Sequence, residues 1–148
     1  MKISGAHKLP LGRDRAFRAM QDPAVLAQCM PGCESLDRTG EDEYAMRMKM
    51  ALAAVTGQFQ GKVRIADSAF PESFRLIVEG SGKVGFMKGD GLVRLTEAAP
   101  DSTEVAFDGD VHVGGTIASV GQRLIDGTAK LMIKRFFDKL AAKAAEVE

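Results

Sequence analysis

The sequence contains no tryptophan, one tyrosine, two histidines and two cysteines in 148 residues. Two cysteines are too few to staple a small secreted scaffold, so Cys29 and Cys33 are expected as free thiols in a reducing compartment. An excess of charge is missing too, because 20 Lys and Arg balance 20 Asp and Glu. A neutral chain has no global basic field to attract a polyphosphate, which argues against non-specific nucleic-acid binding. No run approaches the roughly 18 apolar residues of a spanning helix. The start, Met1-Lys2-Ile3-Ser4-Gly5, lacks the apolar core of a signal peptide, so a cytoplasmic protein is expected. Methionine and phenylalanine, by contrast, reach eight each. They favour a soft, adaptable interior over a catalytic site. Length and a hydrophobic share of 45% fit one soluble domain over residues 1–148.

Hydrophobic periodicity divides the chain. Lys2–Lys8 reads as a short strand with Ile3 and Gly5 on one face, broken by Pro10 and Gly12. Asp14 is expected to cap a first short helix through Phe17, Ala19 and Met20, and Asp22-Pro23 to open a second through Val25, Leu26 and Cys29. From Glu34 the period becomes two. Tyr44, Met46, Met48 and Met50 share a strand face; Val55, Gly57, Phe59, Gly61, Val63 and Ile65 form the next, and Phe74, Leu76 and Val78 a third. Glycines at 80, 82, 85, 89 and 91 predict bends or bulges before Leu92–Thr96 resumes a strand. A last strand turns Val105, Phe107, Val111 and Val113 inward. Thr116 is expected to cap a long helix to about Ala145, whose first half aligns Ile117, Val120, Leu124, Thr128 and Leu131.

This order predicts an α+β helix-grip fold: a curved antiparallel sheet of about seven strands wrapped around one long C-terminal helix, with two short helices between the first two strands. The helix must cover the apolar sheet face. Gly57 and Gly61 on the inward strand face contribute no side-chain volume, so a mostly apolar cavity is expected between the two.

Motifs of chemistry weigh little against plainer readings. Gly80-Ser81-Gly82-Lys83-Val84-Gly85 matches a dinucleotide fingerprint, but no helix opens after it and further glycines follow, so a hairpin is the better reading. No P-loop is present. Cys29 and Cys33 are spaced by four, and a four-ligand metal site would also need His7 and His112 from remote strands; no metal is expected. No serine stands in a nucleophile elbow, and Asp110 beside His112 reads as a solvated face. No catalytic residue and no cofactor are therefore assigned. Met46, Met48 and Met50 either fill the core or line a cavity. Ile133, Phe137 and Leu140 lie off the helix's first apolar stripe, near lysines; they are either a partner-docking or membrane-surface patch, or pack on the early helices through Phe17 and Met20. The second reading is the plainer one.

Met1-Lys2-Ile3-Ser4-Gly5, Asp22-Pro23 leading into Cys29-Met30-Pro31-Gly32-Cys33-Glu34-Ser35-Leu36, Val55-Thr56-Gly57-Gln58-Phe59-Gln60-Gly61-Lys62-Val63, and Gly114-Gly115 followed by Gly121-Gln122-Arg123-Leu124-Ile125-Asp126-Gly127 resemble the CoxG family. These are the CoxG subunits of carbon monoxide dehydrogenase, in the START-like helix-grip (SRPBCC) superfamily. The resemblance implies an accessory protein of molybdenum hydroxylases at the inner face of the cytoplasmic membrane. It also implies a cavity for quinone-like lipids and help with electron delivery. Relatives that anchor themselves carry a hydrophobic or amphipathic C-terminal extension, whereas this sequence ends at Glu148 soon after its helix.

The expectation is therefore a non-enzymatic carrier of a lipid or quinone that serves molybdenum-hydroxylase subunits. Its ligand is expected to meet Met46, Met48, Phe59, Phe74, Leu76, Phe86, Ile117, Gly121 and Leu124. A ligand-free docking or assembly factor using Ile133, Phe137 and Leu140 is the alternative, and a small-molecule enzyme of the cyclase type a third.

Overall fold

The computed structural model describes residues 1–52 and 55–147. The elements run β1 (Lys2–Leu9), α1 (Arg13–Ala19), α2 (Pro23–Cys29), β2 (Cys33–Gly40), β3 (Glu43–Leu52), β4 (Val55–Ala69), β5 (Ser73–Gly82), β6 (Gly85–Ala99), β7 (Ser102–Gly114), a 3-10 turn (Thr116–Val120) and α3 (Gln122–Val147). The strands form one antiparallel sheet in the order β1-β7-β6-β5-β4-β3-β2. Strands β2 to β7 thus form a meander, and β1 returns to pair with β7. This is the α+β helix-grip architecture read from the sequence.

Local chemistry explains the helix starts. The Asp22 side chain accepts the Ala24 N–H at 3.0 Å, and Pro23 occupies the first helical position, where a missing N–H costs nothing. The other expected caps differ. Gly12, not Asp14, stands at the N-cap of α1, and Asp14 falls in its first turn, where a carboxylate still complements the helix dipole. Thr116 opens the 3-10 turn rather than the long helix. Gly121, at φ +99°, separates that turn from α3. Only glycine adopts that conformation readily, so the helical run restarts at Gln122.

The strand phases match the alternation. Tyr44, Met46, Met48, Phe59, Val63, Ile65 and Phe74 are buried, while Arg47, Lys49, Gln58, Gln60, Lys62 and Arg64 are exposed. The side chain of Val55, expected on the inner face, lies outside the described residues. The glycine-rich stretch departs from expectation: β6 runs unbroken and keeps regular register with β5 from Gly85 and with β7 from Phe86 through Gly91. Register shifts fall elsewhere, at Cys33/Ser35, Arg38/Gly40, Ala66/Ala69 and Glu97/Ala99.

The main apolar cluster lies where α1, α2 and the C-terminal half of α3 meet the sheet, and it includes Leu9, Leu11, Phe17, Met20, Cys29, Phe74, Val93, Leu95, Val105, Phe137 and Leu140. Inside it the Thr103 hydroxyl donates to the Leu11 carbonyl at 2.7 Å, satisfying a buried polar pair that ties β7 to the loop before α1. No described helix is long and apolar enough to cross a membrane.

Candidate ligand cavity

Two closed ends and an open middle define the inner face of the sheet. The main cluster closes one end. A smaller one, Phe59 and Ile117 with Met50, Val84, Val113 and Val120 packed on them, closes the other. The 3-10 turn is held there by the Ile117 N–H, which donates to the Val84 carbonyl in the β5–β6 turn at 2.7 Å. Between these ends lie Met87, Gly89, Gly91, Gly109 and Val111, with Leu76 and Val78 at the margin of the main cluster, all on the inner face and all part-exposed. Central strands of a covered sheet would normally bury such positions. They stay accessible because three cross-strand neighbours there are glycines. Gly91 pairs with Gly109, and Gly89 lies between Val78 and Val111. A Cβ placed on Gly89 would meet only Val111 Cγ2, at 3.9 Å, so space opens above this floor.

The roof is α3. Ile125, Ala129, Met132, Ile133 and Phe136 are part-buried, and Phe137 and Leu140 are buried, a stripe at helical spacing that faces inward. Its partners are α2, β1, the 3-10 turn and β3. The cavity's inner wall is aromatic. His7, on the inward face of β1, stacks on Phe137 with ring centroids 4.5 Å apart and planes 14° apart, and on Phe107 at 6.0 Å and 9°. Phe107 and Phe137 are 6.4 Å apart and within 13° of parallel.

The positions expected to meet a ligand are distributed unevenly about this space. Met46, Met48 and Phe74 are fully buried in the main cluster, and Phe59 and Ile117 in the smaller one; they build the ends. Leu76 is part-exposed at the margin of the main cluster, facing the open middle. Phe86 does not face it: Gly82 pairs with Gly85 across a two-residue turn, which puts Gly85 on the inner face and Phe86 on the outer one, 44% exposed against Gly114. Leu124 also points away, 39% exposed, and with Gly121 and Leu131 lines an open groove of about 570 Å³ along α3. The expected stripe of Ile117, Val120, Leu124 and Leu131 carried one helical phase across the break at Gly121. The α3 phase is set by Ile125, Ala129 and Met132 instead.

The same shift of phase corrects the docking patch. Phe137 is 6% exposed, Leu140 is 1% exposed and Ile133 is part-buried, all within the cluster that holds Phe17 and Met20. They are core and not an exposed patch, and Phe137 packs on His7 and Phe107 of the sheet. Residues the sequence reading missed are His7, Phe107, Gly89, Gly91, Gly109 and Val111 as neighbours around one space. The alternation of β1 already placed His7 with Ile3 and Gly5, and Gly89 and Gly91 alternate in phase with Met87 and Val93.

His7 is the one imidazole among the described inward strand positions. His112 is exposed on the outer face, next to Asp110 at 3.9 Å. Desolvation is the largest influence on both thiols and raises the Cys29 and Cys33 pKa values above the ordinary 9.0. Cys29 and Cys33 are therefore protonated at neutral pH.

Residues 5–145 match the family of CoxG, a subunit of carbon monoxide dehydrogenase. The chain belongs to the CoxG family. Its fold is the START-like helix grip of that family. A conserved protein from Geobacillus kaustophilus is 32% identical, with a TM-score of 0.94 over 99% of this chain and 96% of that one. More distant structures share the fold. A START superfamily protein from Mycobacterium smegmatis has a TM-score of 0.75 at 14% identity, with 99% of each chain covered. The Zhui aromatase/cyclase from Streptomyces sp. R1128 has 0.71 at 11% identity, covering 98% of this chain and 93% of that one. No curated protein sequence matches the chain.

Proposed function

We propose that this CoxG-family protein is a non-catalytic carrier. It takes a hydrophobic ligand, a lipid or isoprenoid quinone, into the cavity between sheet and α3. It thereby serves a molybdenum hydroxylase of the carbon monoxide dehydrogenase type, aiding recruitment or electron delivery at the inner face of the cytoplasmic membrane. The observation that carries the reading is the open middle of an apolar sheet face, floored by Gly89, Gly91 and Gly109 and closed at both ends. Affinity comes from desolvation. A tail burying ~300 Å² of apolar surface gains about 7 kcal/mol before ordering costs. Family membership supports the partner, because CoxG is named for the enzyme it accompanies. The inward surface supports carriage over chemistry, since Leu76, Val78, Met87 and Val111 supply contact area and no nucleophile.

Native mass spectrometry with short-chain menaquinone and ubiquinone analogues tests the ligand class. One bound molecule per chain is expected; an unliganded spectrum with both, together with a filled interior, defeats the reading. Copurification of the tagged chain with large, medium and small hydroxylase subunits from its own host tests the partner.

A further inference from the structure

The geometry points to His7 as the hydrogen-bonding anchor of the cavity, engaging a carbonyl or hydroxyl oxygen carried on a flat aromatic head. This rests on the cavity being a ligand site. Among the inward positions of Ile3–Leu9, Tyr44–Met50, Gly57–Ile65, Phe74–Gly82, Gly85–Leu95 and Thr103–Val113, three side chains are polar: His7, Tyr44 and Thr103; Glu97, which pairs with Thr103, is exposed at the end of β6. Thr103 already donates to the Leu11 carbonyl, and Tyr44 is only 5% exposed inside the main cluster. His7 alone is part-exposed.

Its ring is positioned by stacking rather than by hydrogen bonds. Phe137 and Phe107 hold the imidazole plane within 14° of their own, and among the described residues no hydrogen bond or ion pair engages either ring nitrogen. Neither nitrogen is sealed away, because no buried side-chain nitrogen or oxygen among the described residues lacks a partner. A neutral imidazole therefore keeps one donor and one acceptor at its edge for an incoming group.

The surroundings set the chemistry of that group. Gly5, beside His7 on the same strand face, has the Phe107 ring lying over it, 2.9 Å from where a Cβ would stand. Three near-parallel rings thus form a wall against which a further flat ring stacks. An anionic head would bring an uncompensated charge beside Phe107, Phe137 and Val105, at a cost one imidazole does not offset, so a neutral oxygen is the fitting partner. From this wall the glycine floor leads along Gly91, Gly109 and Gly89 toward the opposite end, a path for an apolar chain.

The test uses 6-dodecanoyl-2-dimethylaminonaphthalene, a flat naphthalene with one ketone oxygen and a twelve-carbon chain, whose emission moves to the red when the ketone accepts a hydrogen bond. Its 6-dodecyl counterpart lacks the ketone. The native protein is expected to bind the ketone probe about fivefold more tightly than the counterpart, the worth of one net hydrogen bond. His7→Phe, which keeps an aromatic ring in the stack, is expected to abolish that preference and blue-shift the bound probe, and His7→Gln, which restores an edge donor, to recover both. Equal affinity and unchanged emission in His7→Phe would overturn the anchor and leave the cavity standing. Equal binding of the two probes by the native protein overturns it as well, without any variant having to fold. If the native protein binds neither probe, the cavity reading fails and the anchor with it.

Discussion

Replacing Gly89 by leucine distinguishes a vacant cavity from a filled core by the sign of its effect on stability. Gly89 lies on the inner face of β6 between Val78 and Val111, and a Cβ there meets one atom within 4 Å, Val111 Cγ2 at 3.9 Å. Its φ lies outside the left-handed region, so an L-residue fits the backbone. Burying most of a leucine side chain stabilises by about 1.5 kcal/mol, and relieving glycine's excess chain entropy in a strand adds roughly 0.5 kcal/mol. The sum, about 2 kcal/mol, corresponds to a rise of roughly 4–8 °C in Tm for a domain of this size. The same side chain occupies the ligand's space, so probe binding by fluorescence titration is expected to fall at least tenfold. Calorimetry reads the first effect and titration the second. Were the space filled already, overpacking would cost about 1–3 kcal/mol and Tm would drop. A lower Tm with unchanged probe affinity would refute a vacant cavity at this position.

Gly61→Ala is expected to behave oppositely, because its Cβ would fall 1.7 Å from the Glu79 carbonyl oxygen on β5. The backbones must part there, and loss of the folded state in a denaturant titration is the expected result. Thr103→Val leaves the Leu11 carbonyl without its donor in a buried site and should cost about 1–3 kcal/mol by urea unfolding. Phe137→Lys places a charge in the main cluster and is expected to unfold the chain, whereas loss of partner binding with full stability would restore the docking patch. For the thiols, the folded pKa lies above the unfolded value, so their contribution to stability is complete below pH 9.0 and is lost as pH rises past it. Iodoacetamide at pH 8 is therefore expected to label Cys33 more slowly than a free cysteine peptide and Cys29 only on unfolding; equal rates would contradict the burial.

Strand phase was legible because each sheet face demands its own solvent partner, and Tyr44 through Met50 or Phe59 through Ile65 leave one assignment open. Helix phase was not legible across Gly121. Ile117 and Val120 belong to a 3-10 turn, and extending their stripe forward turned Leu124 inward and Ile133, Phe137 and Leu140 outward, the reverse of what the packing does. The cavity shows a second limit of sequence reading. Large inward side chains such as Met46, Phe59 and Phe74 bury themselves against one another, so they make the ends of the space. Its centre lies at Gly89, Gly91 and Gly109 and not at the expected Gly57 and Gly61, where Val84 and the Glu79 backbone already fill the space. Phe86 was misplaced by one residue at a two-residue turn, and in a strand one residue exchanges the faces.

The pairing of β1 with β7 has a kinetic meaning. Every other strand contact joins strands consecutive in sequence, whereas Lys2 and Asp110 are more than a hundred residues apart. Closing that span carries an entropic cost of about 4 kcal/mol, which the meander does not face. The meander from β2 to β7 is therefore expected to assemble first and the chain's opening strand to be recruited late. His7 travels on that strand, and so does Gly5 beneath Phe107. During synthesis the aromatic wall waits until Phe137 has emerged, so the ligand is loaded only after α3 has been made.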